Sequence, residues 1–90
     1  MITVGFFAIF REITGTKEIS VPVVPTIKDL MEVLSLRYDK AFRSMALEDG
    51  KISRQVNLLV NGKHIAHLQK DDTPLVEGDT VSVFPLIGGG

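Results

Sequence analysis

MITVGFFAIF, Met1 to Phe10, is the stretch whose reading decides the fold. So apolar an opening has three uses: a secretory leader, a membrane segment or a buried strand. A leader needs a basic start and a small-residue cleavage site, and neither is present. A membrane helix needs about 20 apolar residues, whereas Arg11 and Glu12 end this run. A buried strand remains, read over Ile2–Ile9. Side chains alternate across a strand, so Ile2, Val4, Phe6 and Ala8 share one face, and Thr3, Gly5, Phe7 and Ile9 the other.

The rest of the chain is read outward from that strand. Thr14-Gly15-Thr16 is a turn signal, and roughly Lys17–Val23 alternates again through Ile19, Val21 and Val23. Two strands joined by a short turn predict a hairpin. Pro25-Thr26 opens a helix, with Asp29 placed three residues after Thr26 to complete a capping box. Ile27, Leu30, Met31, Leu34 and Tyr38 form its apolar stripe, which is expected to lie across the hairpin. Phe42, Met45 and Leu47 anchor either a short helix or a turn, closed by Asp49-Gly50. Val56–Val60 reads as a strand, Asn61-Gly62 as a tight turn, and Lys63–Ile65 as the return. Asp71–Leu75 reads as a loop, and Glu77-Gly78-Asp79 as a turn into a last strand, Thr80–Phe84. The first and last strands are the most apolar and are expected to be central, parallel neighbours. The architecture is α+β, a mixed sheet with a helix packed on one face. Residues 1–85 are expected to form the domain and residues 86–90 a flexible glycine tail.

Composition narrows the chemistry. Ninety residues make at most one domain, and a 44 % hydrophobic content is enough for one modest core. Ten basic and eleven acidic residues leave a formal net charge of −1, so no basic footprint points to nucleic acid or an anionic membrane. The absence of cysteine excludes disulfides and thiol nucleophiles, and the cytoplasm is the default compartment. Phosphate-binding loops, dinucleotide fingerprints and the nucleophile elbow are missing. His64 and His67 are spaced for one helical face, but no third ligand accompanies them, so no metal and no bound cofactor are expected. Asp71-Asp72 lacks the rhythm of a calcium loop, and no two carboxylates pair as acid and base.

Three large apolar residues fall on faces otherwise marked as wet. Phe84 shares its face with Thr80 and Ser82, Phe7 with Thr3 and Gly5, and Leu59 with Asn57 and Asn61. Either a helix or loop covers them, or they form a contact patch. Each would contribute about 1.5–3 kcal/mol if fully buried in a partner. Association costs on the order of 4–15 kcal/mol first, so such a patch needs a second contact. The tail Phe84-Pro85-Leu86-Ile87-Gly88-Gly89-Gly90 is placed to supply it.

Taken in order, these pieces resemble one family. FFAIFREITGT (Phe6–Thr16), the Pro25-Thr26 helix start, ALEDGK (Ala46–Lys51), LVNGK and DTPLVEGDTVSVFP (Asp72–Pro85) lead to a final diglycine. This is similar to the small, sulfur-carrying subunit of molybdopterin synthase, the MoaD-like branch of the MoaD/ThiS ubiquitin-like β-grasp proteins, over nearly the whole length. Two departures stand out. Leu86 replaces the second proline of the family's FPP, and Gly88 takes the small-residue position. An apolar residue before three glycines also resembles the thiamine-pathway carriers, which normally lack the ALEDGK region.

The resemblance implies that the carboxylate of Gly90 is the working group. An ionised carboxylate repels nucleophiles and has no leaving group. The implied partners therefore include a ubiquitin-activating-type adenylating enzyme that uses ATP to make a glycyl adenylate. A sulfur donor then displaces AMP and leaves a thiocarboxylate. The molybdopterin synthase large subunit would supply the site where that sulfur reaches a pterin precursor, so the chain alone is a non-catalytic carrier. Phe7, Leu59, Phe84, Pro85, Leu86 and Ile87 are the implied partner-binding residues, and Gly88 and Gly89 belong to the tail. Bare backbone suits a narrow channel, and residues 86–90 could span roughly 15–18 Å. Other uses of the same adenylate stay open: thiamine-thiazole sulfur transfer, or modification of proteins through isopeptide bonds. A binding domain with an inert tail is the remaining alternative.

Overall fold

In the computed structural model, which describes residues 1–86, the two most apolar strands lie side by side. Strand β1 (Ile2–Phe6) runs parallel to β7 (Thr80–Pro85), with Val4 opposite Val81 and Phe6 opposite Val83. Strand β2 (Glu18–Val21) pairs antiparallel with β1 on its other side. Strand β5 (Val56–Val60) pairs antiparallel with β7, and β6 (Lys63–His64) extends β5. The order is β2-β1-β7-β5-β6, a mixed sheet with the expected parallel centre.

Period-2 alternation sorts the sheet into two faces. Ile2, Val4, Phe6, Val21, Val56, Leu58, Val60, Val81 and Val83 point inward and are buried. Helix α2 (Ile27–Arg37) covers them with Ile27, Leu30, Met31 and Leu34. Its start is the predicted capping box. Thr26 Oγ1 accepts from Asp29 N at 3.2 Å, and Thr26 N donates to Asp29 Oδ2 at 3.1 Å. These bonds satisfy amide groups that a helix start otherwise leaves unpaired.

The opening stretch needs a correction. The strand stops at Phe6 rather than continuing to Ile9, and a short helix, α1 (Ile9–Thr14), replaces the simple hairpin turn. Ala8 turns the chain with φ 53° and ψ −128°, and Phe10 N donates to Phe7 O at 3.1 Å. Phe10 then falls into the core, fully buried, which neither face of an extended strand would achieve. Gly15 ends α1 in the left-handed region, φ 73°, with its N–H bonded to Arg11 O. Thr14-Gly15 is thus a helix stop and not a strand turn. The second strand is also shorter than Lys17–Val23, and Val23 is exposed.

Phe42 settles the segment after α2 as a helix, α3 (Lys40–Ala46), because its ring is needed inside. It meets Phe6 edge-on at 6.1 Å between centroids and Phe10 at 5.7 Å, while Tyr38 meets Phe6 at 5.6 Å. Strands β3 (Leu47–Glu48) and β4 (Lys51–Ile52) form a small separate hairpin around Asp49-Gly50. The stretch read as a loop, Asp71–Leu75, overlaps a 3-10 turn at Lys70–Asp72. Asn61 and Gly62 both take positive φ, 51° and 85°, as a two-residue hairpin requires. Among the described residues, no helix is long and apolar enough to cross a membrane.

Candidate functional site

The face of the sheet away from α2 carries Thr3, Gly5, Ser82, Asn57 and Leu59 at successive register positions. No helix of the described chain packs there in the way α2 covers the other face. Phe7 lies just beyond the end of β1 and Phe84 near the end of β7, both half-buried. Their rings stack, with centroids 4.2 Å apart and planes 10° from parallel. The backbone joins them as well, since Phe7 N donates to Val83 O at 3.1 Å. Arg11 caps the pair: its guanidinium lies 5.5 Å from the Phe7 ring centre while its Nε donates to Phe6 O at 3.1 Å. A cation over a ring face is attracted by the ring's quadrupole.

Leu59, half-buried, continues the apolar surface on β5, opposite Ser82. Asn57 faces Phe84 across the strands and meets His64 Nε2 through its Oδ1 at 3.1 Å. Ala66 N donates to His64 Nδ1, so the second ring nitrogen is the one that donates to Asn57. His64 is thereby engaged within the fold, and among the described residues no cluster of three His, Asp or Glu converges.

Pro85 still pairs with Val56 at the end of β7. Leu86, the first residue assigned to the tail, donates its N–H to Gln55 O at 2.9 Å while its side chain stays 48 % exposed. The paired aromatic rings, Pro85 and Leu86 therefore share the end of the sheet from which the chain continues toward its glycines, and Leu59 lies further back along β5, opposite Ser82. Ile87, Gly88, Gly89 and Gly90 lie outside the described residues.

The structure thus brings Phe7, Leu59, Phe84, Pro85 and Leu86 onto one open face and its rim. It adds Arg11 and Gly5, which sequence reasoning left without a role. Arg11 carried a usable signal: it sits four residues after Phe7, with the turn between them bringing the guanidinium back over the ring.

The profile of the ThiS family matches residues 4–90. The chain belongs to the ThiS family. Its relatives there include a small archaeal modifier protein 3 from Haloferax volcanii, 41 % identical over 87 residues, covering 94 % of each chain. The molybdopterin synthase sulfur carrier subunit of Escherichia coli is 37 % identical over the full length of both chains. The solution structure of small archaeal modifier protein 1 from Methanosarcina acetivorans superimposes with a TM-score of 0.84, covering 99 % of this chain and 95 % of that one at 29 % identity. The fold of this ThiS-family chain is the ubiquitin-like β-grasp.

Proposed function

We propose that the chain is a sulfur carrier for molybdopterin formation. A ubiquitin-activating-type enzyme uses ATP to adenylate the Gly90 carboxylate, releasing pyrophosphate. A sulfur donor displaces AMP, which leaves a thiocarboxylate. The large subunit of molybdopterin synthase then receives the tail and lets that sulfur attack a pterin precursor. No cofactor is held by the carrier, and ATP is consumed at the activating enzyme. The setting is the cytoplasm.

One observation carries this reading: a half-exposed aromatic pair, Phe7 stacked on Phe84, is built on the strand that leads directly into the glycine tail. Docking at the pair fixes the direction in which the tail leaves the sheet. The intramolecular reach of residues 87–90 then replaces a second diffusive encounter, which is where positioning contributes most to group transfer. Whole-length similarity to a molybdopterin synthase sulfur carrier subunit supports the pterin as acceptor.

A second reading has its own support. The similarity to a small archaeal modifier protein favours transfer of Gly90 from the same adenylate to lysines of other proteins. A thiamine-thiazole acceptor is the third use of the same thiocarboxylate. Intact-mass analysis separates them. The chain is incubated with its activating enzyme, ATP and a sulfur source, and then with the pterin precursor. Exchange of one terminal oxygen for sulfur is expected, followed by its loss to the precursor. A thiocarboxylate that the precursor does not consume would overturn the pterin reading. Gly90-dependent high-mass conjugates would select the modifier.

A further inference from the structure

Gly5 sits in the interior of β1, flanked by Glu18 on β2 and Ser82 on β7. A strand interior favours β-branched residues, and glycine there weakens the sheet. Its backbone is not in the left-handed region, so the turn geometry that usually calls for glycine is absent. What the position lacks is room. A Cβ built on Gly5 would stand 3.3 Å from Phe7 Cε2 and 3.7 Å from Phe7 Cζ, because one edge of the Phe7 ring folds back beside the glycine.

The ring has little freedom to yield. It stacks on Phe84 at 4.2 Å, and Arg11 lies over it while anchored to Phe6 O. Ala8, the next residue, holds a positive φ of 53° that an L side chain adopts only with strain. The chain therefore carries a glycine where a larger residue would favour the strand, and an alanine where glycine would favour the turn. Both unfavourable choices flank Phe7.

We infer that Gly5 is a positioning residue for partner recognition: its missing side chain leaves room for the edge of the Phe7 ring, which stacks face to face on Phe84 and presents with it one preformed aromatic pair. This rests on the carrier reading above and extends its docking surface from the large synthase subunit to the activating enzyme, the first partner that the tail must meet. The residue never touches the transferred group, so its effect belongs in recognition and not in the chemical step. Preformed rings bind with less ordering cost than rings that must be gathered on contact.

The test uses the full chain and the adenylating enzyme of its own host, read by ATP–pyrophosphate exchange. Gly5→Val is expected to raise KM for the carrier at least fivefold with kcat unchanged, and to leave the melting temperature level or higher. Gly5→Ala, the milder variant, should move KM in the same direction by a smaller factor. Nuclear Overhauser contacts between the Phe7 and Phe84 rings should weaken in both. In a Phe7→Ala background, Gly5→Val should raise KM no further, because the ring it displaces is gone. An unchanged KM in Gly5→Val, beside a raised one in Phe7→Ala, would overturn the positioning role and leave the docking surface standing. An unchanged KM in Phe7→Ala would overturn the docking surface, and the role of Gly5 with it. A wild-type chain that is never adenylated would overturn the carrier reading itself.

Discussion

Phe6 and Phe7 are neighbours in sequence and opposites in the fold. Phe6 points into the core, is fully buried, and meets Tyr38 and Phe42 edge-on. Phe7 lies on the other face, half-buried, stacked flat on Phe84 beneath a guanidinium. The same side chain does two jobs because the strand's alternation delivers it to two environments. Inside, edge-to-face rings fill volume from several directions. Outside, two parallel rings cover each other's inner faces and stay half-exposed elsewhere. Stability therefore belongs mainly to the first face, and the proposed recognition to the second.

The sharpest way to break that contrast is Phe6→Ala, which should cost about 3–5 kcal/mol in chemical denaturation through the cavity it leaves. A loss as small as that of Phe7→Ala would erase the distinction between the faces. Thr26→Ala should cost about 1 kcal/mol by removing the cap of the helix that seals the inner face. Phe84→Ala should cost about 1 kcal/mol, the order of a lost aromatic stack, and, on the proposed carrier reading, should weaken binding to the large synthase subunit about tenfold. A large fall in melting temperature with unchanged binding would show Phe84 to be core. Ala8→Gly should instead raise stability by about 1 kcal/mol, because glycine accepts the positive φ without strain.

The smallest effect should come from the exposed pair Arg54–Glu48, with contacts of 3.3 Å. The hydrogen bonds from Arg54 hold the Glu48 carboxyl below its usual range. A depressed carboxylate pKa stabilises the fold above its unfolded value and loses that contribution as pH falls through the folded value. Because both groups sit in solvent, Arg54→Ala should leave the melting temperature at pH 7 unchanged. A measurable loss there, absent in acid, would show that this hairpin matters more than the contrast of faces allows.

The sequence was legible wherever one period held without interruption. The α2 stripe and its capping box, the Asn61-Gly62 turn and the two central strands could each be seen from spacing alone. So could the odd placement of Phe7, Leu59 and Phe84 on a polar face. The reading failed where two periods meet. Ile2–Ile9 reads as one unbroken apolar strand, and only the demand to bury Phe10 bends the chain at Ala8 into α1. That demand comes from Phe42, more than thirty residues away, and no local window contains it. Gly5 was opaque for a similar reason: its neighbour is a ring folded back from Phe7, and strand alternation alone does not reveal such a contact.

The parallel pairing of β1 with β7 has a consequence for timing. It joins segments from opposite ends of the described chain, and contacts that close so long a loop are late and slow to form. The Phe7–Phe84 stack straddles that same seam, so the pair exists only once β7 has docked beside β1. On the proposed reading, a partner that binds the stacked pair thereby inspects the finished fold, and a half-folded chain offers it nothing to hold.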